Sequence, residues 1–418
     1  MLRKQPPWIC CQLGARRHYS VPRALHQTGQ LIDLITDAWI SPQVLPPFTT
    51  TLIPFSPLTR LCQRFHVELS KANVHDFTAS LIRFELTQRI QKNSGWEHVI
   101  ARNSWFQQNA VELLDSISRN ISSFDSRPIL FAYSYAALQL FSYAKSQGWR
   151  TILGQIDPGP VEENIVREEH HRHPEYKSRW QAAPAQYWDA WRKECSLADR
   201  IIVSSPWSSQ ALQQVGIPAK QIDIIPLAYN PPKQARTFER KYPQAFSVER
   251  PLRVLFLGQV ILRKGLTALL EAAELLHDQP IEFWLVGSEG IARSSQAVKR
   301  GQVRWIGSVP RGSTAKYYQQ ADVFLFPTLS DGFGITQLEA QAWKLPIIAS
   351  KFCGEVVKNQ ENGFLLQEVT GNAIAEILQL CLRDPQKLEY LSQSSAKSSY
   401  DFNLLHLQNR LLSLSDSF

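Results

Sequence analysis

"SDGFGITQLEA" (330–340), with the apolar "DVFLFP" (322–327) just upstream, is the stretch on which the fold turns. The apolar run reads as a buried strand, and a run of good helix formers begins at Ile335. Between them lie two glycines, Gly332 and Gly334, and two carboxylates, Asp331 and Glu339, stand eight positions apart. Glycine lets backbone come close to a ligand, so the N–H groups of Gly332, Phe333 and Gly334 are candidates to donate to hydroxyl or phosphate oxygens. A helix throughout would separate the two acids by roughly 12 Å at 1.5 Å per residue. Taken alone, the same residues also read as a plain helix start, with Ser330 or Asp331 as the cap and Glu339 on a wet face.

Working outward, strand and helix patterns alternate along most of the chain. "WICCQL" (8–13), "LIDLIT" (31–36), "PILFAYS" (128–134), "RTILGQID" (150–157), "RIIVSS" (200–205) and "QIDIIPL" (221–227) are strand candidates in the first half, separated in part by helical patterns. The stretch from about 45 to 125 is irregular and helical and has no clear place in this rhythm. Residues 230–250 are rich in proline and charge without apolar periodicity, as in an interdomain linker. "LRVLFLG" (252–258) opens a second series, followed by "IEFWLVG" (281–287), "VRWIG" (303–307), "DVFLFP" and "LPIIAS" (345–350). Repeated strand–helix–strand order predicts an α/β protein with parallel sheets. The expected organisation is a first domain over 1–235, a linker over 236–250, a second domain over 251–395, and a terminal helix over 396–418 folding back on the first domain.

Composition narrows the class without naming a partner. The chain has 418 residues, enough for two or three domains, and 44 % of them are hydrophobic. A net charge of +8 suits an anionic small molecule, an anionic membrane surface or a nucleic acid, and a solvated basic surface accounts for it as well. The basic residues are scattered rather than striped, which speaks against nucleic acid. Six cysteines lack C-x-x-C spacing, which suits a reducing compartment. No apolar run approaches the roughly 18 residues of a membrane span. The start, "MLRKQPPWICCQLGARR", is charged too soon for a signal peptide. A soluble cytoplasmic protein is expected, with peripheral contact at the inner face of a membrane compatible with the basic balance.

A second constellation, "LGQVILRKGL" (257–266), places Arg263 and Lys264 in a turn between a strand and a helix opened by Gly265. A helix N-terminus favours anions, and two cations there strengthen the case for phosphate; a surface turn with wet basic residues is the alternative. Two hydroxyl-binding acids flanking a phosphate-binding turn fit a nucleotide-diphosphate sugar, whose two hydroxyl-bearing ends are joined by a charged middle. In order and spacing, "LGQVILRKGL", "VGSEG" (286–290), the run 303–350 and "ENGFLL" (361–366) resemble the donor half of retaining glycosyltransferases of family 4. "ECSLADRIIVSSPWSSQALQQVGIPAKQIDIIPLAYN" (194–230) resembles the close of that family's acceptor domain.

The resemblance implies the GT-B fold, two doubly wound Rossmann-like domains facing across a cleft. It implies transfer of a sugar from a UDP-, GDP- or ADP-sugar to a carbohydrate or lipid-linked hydroxyl, with retention, without a metal and without a further cofactor. Asp331 matches the acid that approaches the donor sugar, one methylene shorter than the family's glutamate. Glu339 matches the ribose-binding acid and Lys264 the phosphate-binding lysine. Gln259 stands where the family often has arginine, and Arg263 is the candidate to replace that charge. Gly332, Phe333, Gly334, Ile335 and Val309 complete the implied donor contacts. On the acceptor side the candidates are Gly14, Arg16 and His18 after the first strand, and Gln155 and Asp157 after "RTILG". The departures at 259 and 331 also permit a binding subunit without turnover. The histidines of "REEHHRHPEY" (167–176) have spacing suited to a solvated helix rather than a metal site, and the aromatics at 180, 187, 188 and 191 read as core or cleft wall.

Overall fold

Apolar runs of four to six residues become strands here because helices cover both faces of each sheet. In the computed structural model, which describes residues 6–41, 61, 64–121, 127–292 and 302–417, two parallel sheets form. The first contains β1 (Trp8–Gln12), β2 (Leu31–Thr36), β3 (Val74–Asp76), β4 (Ile129–Tyr133), β5 (Arg150–Gly154), β6 (Arg200–Val203) and β7 (Ile222–Ile224). Its order is β3-β2-β1-β4-β5-β6-β7. The second contains β8 (Leu252–Leu257), β9 (Ile281–Val286), β10 (Val303–Gly307), β11 (Val323–Phe326), β12 (Ile347–Ser350) and β13 (Gly363–Leu366), in the order β10-β9-β8-β11-β12-β13. In both sheets the strand order reverses beside the first strand, between β1 and β4 and between β8 and β11. Loops leaving two such neighbours diverge and open a crevice, where ligands bind in open α/β sheets.

Three features extend the sequence reading. Residues 74–121, within the stretch read as irregular and helical, supply edge strand β3 and the helices Thr78–Ile90 and Gly95–Ile121. Segment 303–307 is an edge strand with only Val303 fully buried, and "GFLL" adds β13 at the opposite edge. The helix Leu404–Asp416 lies on the first domain: Leu404, Leu407, Leu411 and Leu414 share a core with Trp8, Val21 and Leu25, and Trp8 Nε1 donates to Ser415 Oγ at 3.1 Å.

The proline- and charge-rich segment is no free tether. Arg240 enters the second domain and donates to the carbonyl oxygens of Tyr318 (2.6 Å), Gln319 (3.3 Å), Trp343 (3.0 Å), Lys344 (3.1 Å) and Ala321. Those carbonyls close the helices Thr314–Gln320 and Ile335–Ala342, whose C-terminal dipoles favour a cation. Arg250 forks onto buried Asp322 at 2.6 and 2.7 Å, fixing the entry to β8.

In the first domain Glu194 plays a comparable part. Its carboxylate accepts the N–H groups of Tyr135 (2.7 Å), Ala137 (2.8 Å) and Leu138 (3.2 Å), and so holds Tyr135 in a left-handed conformation with φ 76°. Burial pushes the Glu194 carboxyl up to about 7 against the pull of those three donors.

Arg240→Ala leaves five helix-end carbonyls short of a donor, and unfolding free energy by urea denaturation should drop by about 3 kcal/mol. Arg240→Lys should recover less than half of it, because an ammonium cannot span the same fan of acceptors.

Candidate functional site

The site grows from two loops that leave neighbouring strands at the reversal of the second sheet. After β8 the chain makes the short turn Leu262–Lys264 and passes through Gly265 at φ 71°. A Cβ at Gly265 would lie 1.8 Å from the carbonyl oxygen of Pro327, so only glycine lets this turn close on the loop after β11. Arg263 O accepts from Leu329 N at 2.9 Å, and its guanidinium donates to Ser330 O at 2.7 Å. Lys264 Nζ donates to Asp331 Oδ2 and rests over the Phe326 ring.

Residues 331–334 are not helical. The helix is Ile335–Ala342, capped by Gly334 at φ 81° with no side-chain hydrogen bond, so neither Ser330 nor Asp331 caps it and the axial spacing of the two acids does not apply. Ser330 Oγ instead donates to Glu162 Oε2 at 2.9 Å, and Asp331 Oδ1 accepts from Phe333 N at 3.3 Å. The Phe333 ring turns inward against Phe402, and the residue is buried. Ile335 and Val309 are half-buried, and Gln259 is exposed.

The first domain meets this loop directly. A Cβ on Gly332 would fall 2.3 Å from Ile156 O, so the turn carrying Asp157 sits against bare backbone. Trp207 Nε1 donates to Ser330 Oγ at 3.1 Å and Ser208 Oγ to Gly332 O at 3.3 Å. Glu162, in the first turn of the helix Pro160–Arg172, also accepts from Arg263 at 3.3 Å, while Arg263 lies 3.9 Å from Asp331. The side chains of Glu162, Arg263, Lys264 and Asp331 are between 12 and 19 % exposed, so their charges act on one another with little screening. Burial alone would raise the Asp331 carboxyl, but Lys264 and Arg263 hold it below the usual range. Burial pushes Glu162 up to about 7; Arg263 opposes this while Asp157 and Asp331 add to it.

Glu339 belongs to a different part of the cleft. It accepts from Tyr318 OH at 2.7 Å, lies 3.8 Å from Arg311, and lines a cavity of about 560 Å³ with Tyr229, Asn230 and Trp343. Burial raises its carboxyl, opposed by Tyr318 and Arg311.

On the acceptor side, Gly14 N donates to Asp37 Oδ1 at 2.9 Å, and Asp37 is gripped by Arg64 and Arg102. Arg16 lines a cavity of about 120 Å³ with Tyr135, Asp157 and Tyr187. Burial first, and then the charge of Arg311, push His18 down to about 4. Gln155 is spent on structure, donating to Asp157 O at 3.0 Å and accepting from Trp191 Nε1 at 3.0 Å. Asp157 Oδ1 accepts from Gly159 N at 2.9 Å and from Tyr135 OH.

Sequence reasoning missed Glu162 and Arg17, and read Ser330 only as a helix cap. Arg17 runs inward to Ser204 Oγ (2.6 Å) and Gln155 O (3.3 Å), from a backbone in which Arg17, His18 and Tyr19 are all left-handed, with φ of 52, 50 and 56°. Three such residues in succession are strained, a state that surrounding contacts must impose. The only legible signal was an acid two residues after Pro160, and acids in a first helical turn are common. Among the described residues no group of three or more His, Cys, Asp or Glu side chains is placed to hold a metal. In the 167–176 segment His170 stacks on Trp180 and His173 pairs with Glu175.

Residues 238–398 match the family profile described as Glycosyl transferases group 1. The amylovoran biosynthesis glycosyltransferase AmsK of Erwinia amylovora is 27 % identical over 217 residues, covering 48 % of this chain and 52 % of that protein. The N,N'-diacetylbacillosaminyl-diphospho-undecaprenol alpha-1,3-N-acetylgalactosaminyltransferase of Campylobacter jejuni is 25 % identical over 175 residues, covering 41 % and 46 %. The chain thus spans about half the length of these curated relatives. Among solved structures, Anabaena Alr3699/HepE in complex with UDP superposes with a TM-score of 0.60 at 16 % identity, over 98 % of this chain and 100 % of that one. The fold is that of the GT-B glycosyltransferases. No helix among the described residues is long and apolar enough to cross a membrane.

Glu162 gives the site a pH signature. A carboxyl whose folded pKa of about 7 exceeds its ordinary 4.5 favours folding in its protonated form. That contribution is complete below the ordinary value and lost as pH rises through the folded one. Denaturation at a series of pH values should show wild type losing stability relative to Glu162→Gln across that window, and parallel curves would contradict it.

Proposed function

We propose, from the premise that residues 238–398 form a Glycosyl transferases group 1 domain, that this chain transfers a sugar from a nucleoside-diphosphate sugar to a hydroxyl acceptor with retention of configuration. The observation that carries the reading is the junction of Arg263, Lys264 and Asp331 with the bare backbone at Gly332, at a strand reversal and directly opposite Asp157. Two cations in a turn before a helix suit a diphosphate, and the adjoining carboxylate suits sugar hydroxyls. Asp331 occupies Lys264 in the free protein, so an arriving phosphate competes for the ammonium and releases the carboxylate toward the sugar. Glu339 and Tyr318, facing their own cavity, are the proposed ribose contacts. Uridine is the favoured base, because HepE is a neighbour with UDP bound.

In the reaction the bond from the anomeric carbon to the β-phosphate oxygen breaks as the acceptor oxygen bonds to the same face of that carbon. The acceptor proton passes to the departing phosphate, which leaves as nucleoside diphosphate. Charge grows on phosphate oxygens, where Lys264 and Arg263 are already aligned, and fixed donors of this kind are worth roughly 10²–10³ in rate each. The proposed chemistry asks for no metal or additional cofactor. A carbohydrate or lipid-linked acceptor, a cytoplasmic location and peripheral membrane contact remain part of the proposal.

Two observations favour a binding subunit without turnover: Gln259 is exposed, and Asp331 is already engaged by Lys264. Comparing wild type with the double variant Asp331→Glu, Gln259→Arg separates the readings, because a subunit without turnover gains transfer only after restoration, whereas an active enzyme transfers as it stands.

UDP at roughly 100 times its Kd should add about 2.7 kcal/mol of stability to wild type, and Lys264→Ala should lose most of that gain. Asp331→Asn should still bind UDP while transfer from a UDP-sugar falls by about 10²-fold or more. Equal stabilisation of Lys264→Ala would refute the donor assignment.

A further inference from the structure

Beside the reaction centre, on the first-domain side, lies a cavity of about 200 Å³ walled by Trp96, Trp180, Tyr187 and Trp188, with Asp157, Glu162, Glu163 and Arg263 also in its lining. The aromatic wall is braced from behind. Tyr187 stacks on Tyr135 with centroids 4.8 Å apart, Trp96 meets Tyr187 at 4.8 Å, and Trp180 stacks on His170 at 4.9 Å. Trp96 Nε1 donates to Gln181 O at 3.0 Å, which fixes its ring in place. Two wall residues carry unmet polar atoms: Trp188 Nε1 and His170 Nε2 are buried without a hydrogen-bond partner among the described residues. His170 Nδ1 lies 2.8 Å from Val166 O, which accepts only from a protonated nitrogen, so that bond anchors the ring to its own helix. Both unmet atoms are closed off from the cavity by burial, and its charged lining is Asp157, Glu162, Glu163 and Arg263.

We infer that this cavity takes a single pyranose ring of the acceptor, which makes the acceptor a saccharide held by its terminal sugar. The inference rests on the transferase reading and names the substrate class of that site. A pyranose presents C–H groups on its faces and hydroxyls at its edge. The faces suit aromatic rings, whose π clouds attract the slightly positive hydrogens, and the edge suits the carboxylates and the Arg263 guanidinium. A prenyl chain in the same place would leave Asp157, Glu163 and Arg263 desolvated without new partners, at a cost of kilocalories for each group. The volume is below the roughly 300–1,000 Å³ of drug-sized pockets, consistent with one ring rather than an oligosaccharide. Arg263 lines the cavity and also lies 3.9 Å from Asp331, so a hydroxyl at the inner end of the ring faces the donor.

The test is saturation-transfer NMR on the full chain, with and without saturating UDP. The probes are methyl pyranosides of glucose, galactose, mannose and N-acetylglucosamine, with geranyl phosphate as the apolar counterpart. At least one pyranoside should receive saturation on its ring protons. Trp180→Ala should weaken that binding by about tenfold, and Trp188→Ala, which removes a second ring of the wall, by about fivefold, with UDP binding unchanged in both. No pyranoside contact in either condition while UDP binds overturns the saccharide site and leaves the donor reading standing. Saturation of the geranyl methyl groups in place of sugar protons overturns it in favour of a prenyl chain. Unaltered pyranoside binding in both variants overturns the location. Loss of UDP binding in wild type strikes the donor reading instead, and pyranoside contact sensitive to Trp180→Ala still supports this cavity.

Discussion

No side chain fits at residue 332. The backbone there passes so close to Ile156 O that a Cβ would overlap it, and the meeting of the two domains depends on that contact. Because Gly332 is bare, the turn after β5 can sit on the loop after β11, which places Asp157, Glu162, Arg263 and Asp331 around one spot. Gly265 does the same within the second domain, where a Cβ would strike Pro327 O and push the Arg263–Lys264 turn off its neighbour. Substitutions at these two positions would displace whole loops rather than trim a contact, since the obstructing atoms are backbone in both cases.

The charges gathered by those contacts are balanced for exchange. Arg263 faces Glu162 and Asp331, and Lys264 faces Asp331 under the Phe326 ring, so in the free protein each cation already has a carboxylate. Leaving such cations unpaired in a partly dry cleft would be costly. In the proposed reaction a diphosphate replaces the acids as their counter-ion, and the sugar hydroxyls become the new donors to the acids. The same logic accounts for the unlike environments of the two acids. Asp331 lies between cations and stays ionised, whereas Glu162 is buried beside two other acids and holds its proton further up the pH scale.

How much of this was legible depended on how local the cause was. Strands such as "ILFAY" and "VFLF" declare themselves because burial on both faces demands a continuous apolar run. The cation turn and the glycine turn were legible because each lies within a dozen residues. Strand β3 has three residues, and its neighbouring helix Thr78–Ile90 buries only Leu81 and Gln88, so neither leaves a periodic trace. Glu162 was invisible because its partners are Arg263 and Ser330, 101 and 168 residues away. The stretch read as a linker is pinned by Arg240 onto main-chain carbonyls, and carbonyl acceptors carry no residue code to read. The reading of Ser330 as a cap failed for a similar reason, because a long-range carboxylate outcompetes the nearby helix amides for its hydroxyl.

Conformational strain is concentrated on the acceptor side, and its placement follows from the topology. The left-handed run Arg17–Tyr19 leaves β1, and left-handed Tyr135 leaves β4, the two strands flanking the reversal of the first sheet. Each is held by hydrogen bonds to buried groups: the Arg17 guanidinium donates to Ser204 Oγ and Gln155 O, and Tyr135 N donates to the Glu194 carboxylate. The donor side reaches its tight turns with glycine, which relaxes on either side of φ = 0. The first domain uses Gly14 and Gly159 as well, but adds side-chain-bearing residues in the same conformation, so the turn that bends the chain also contributes a group to the cleft: Tyr135 OH meets Asp157. Replacing these residues with glycine would relieve the backbone and remove the groups together. Strain at this edge is therefore the physical cost of presenting side chains at the reversal point, where the donor half presents bare amides.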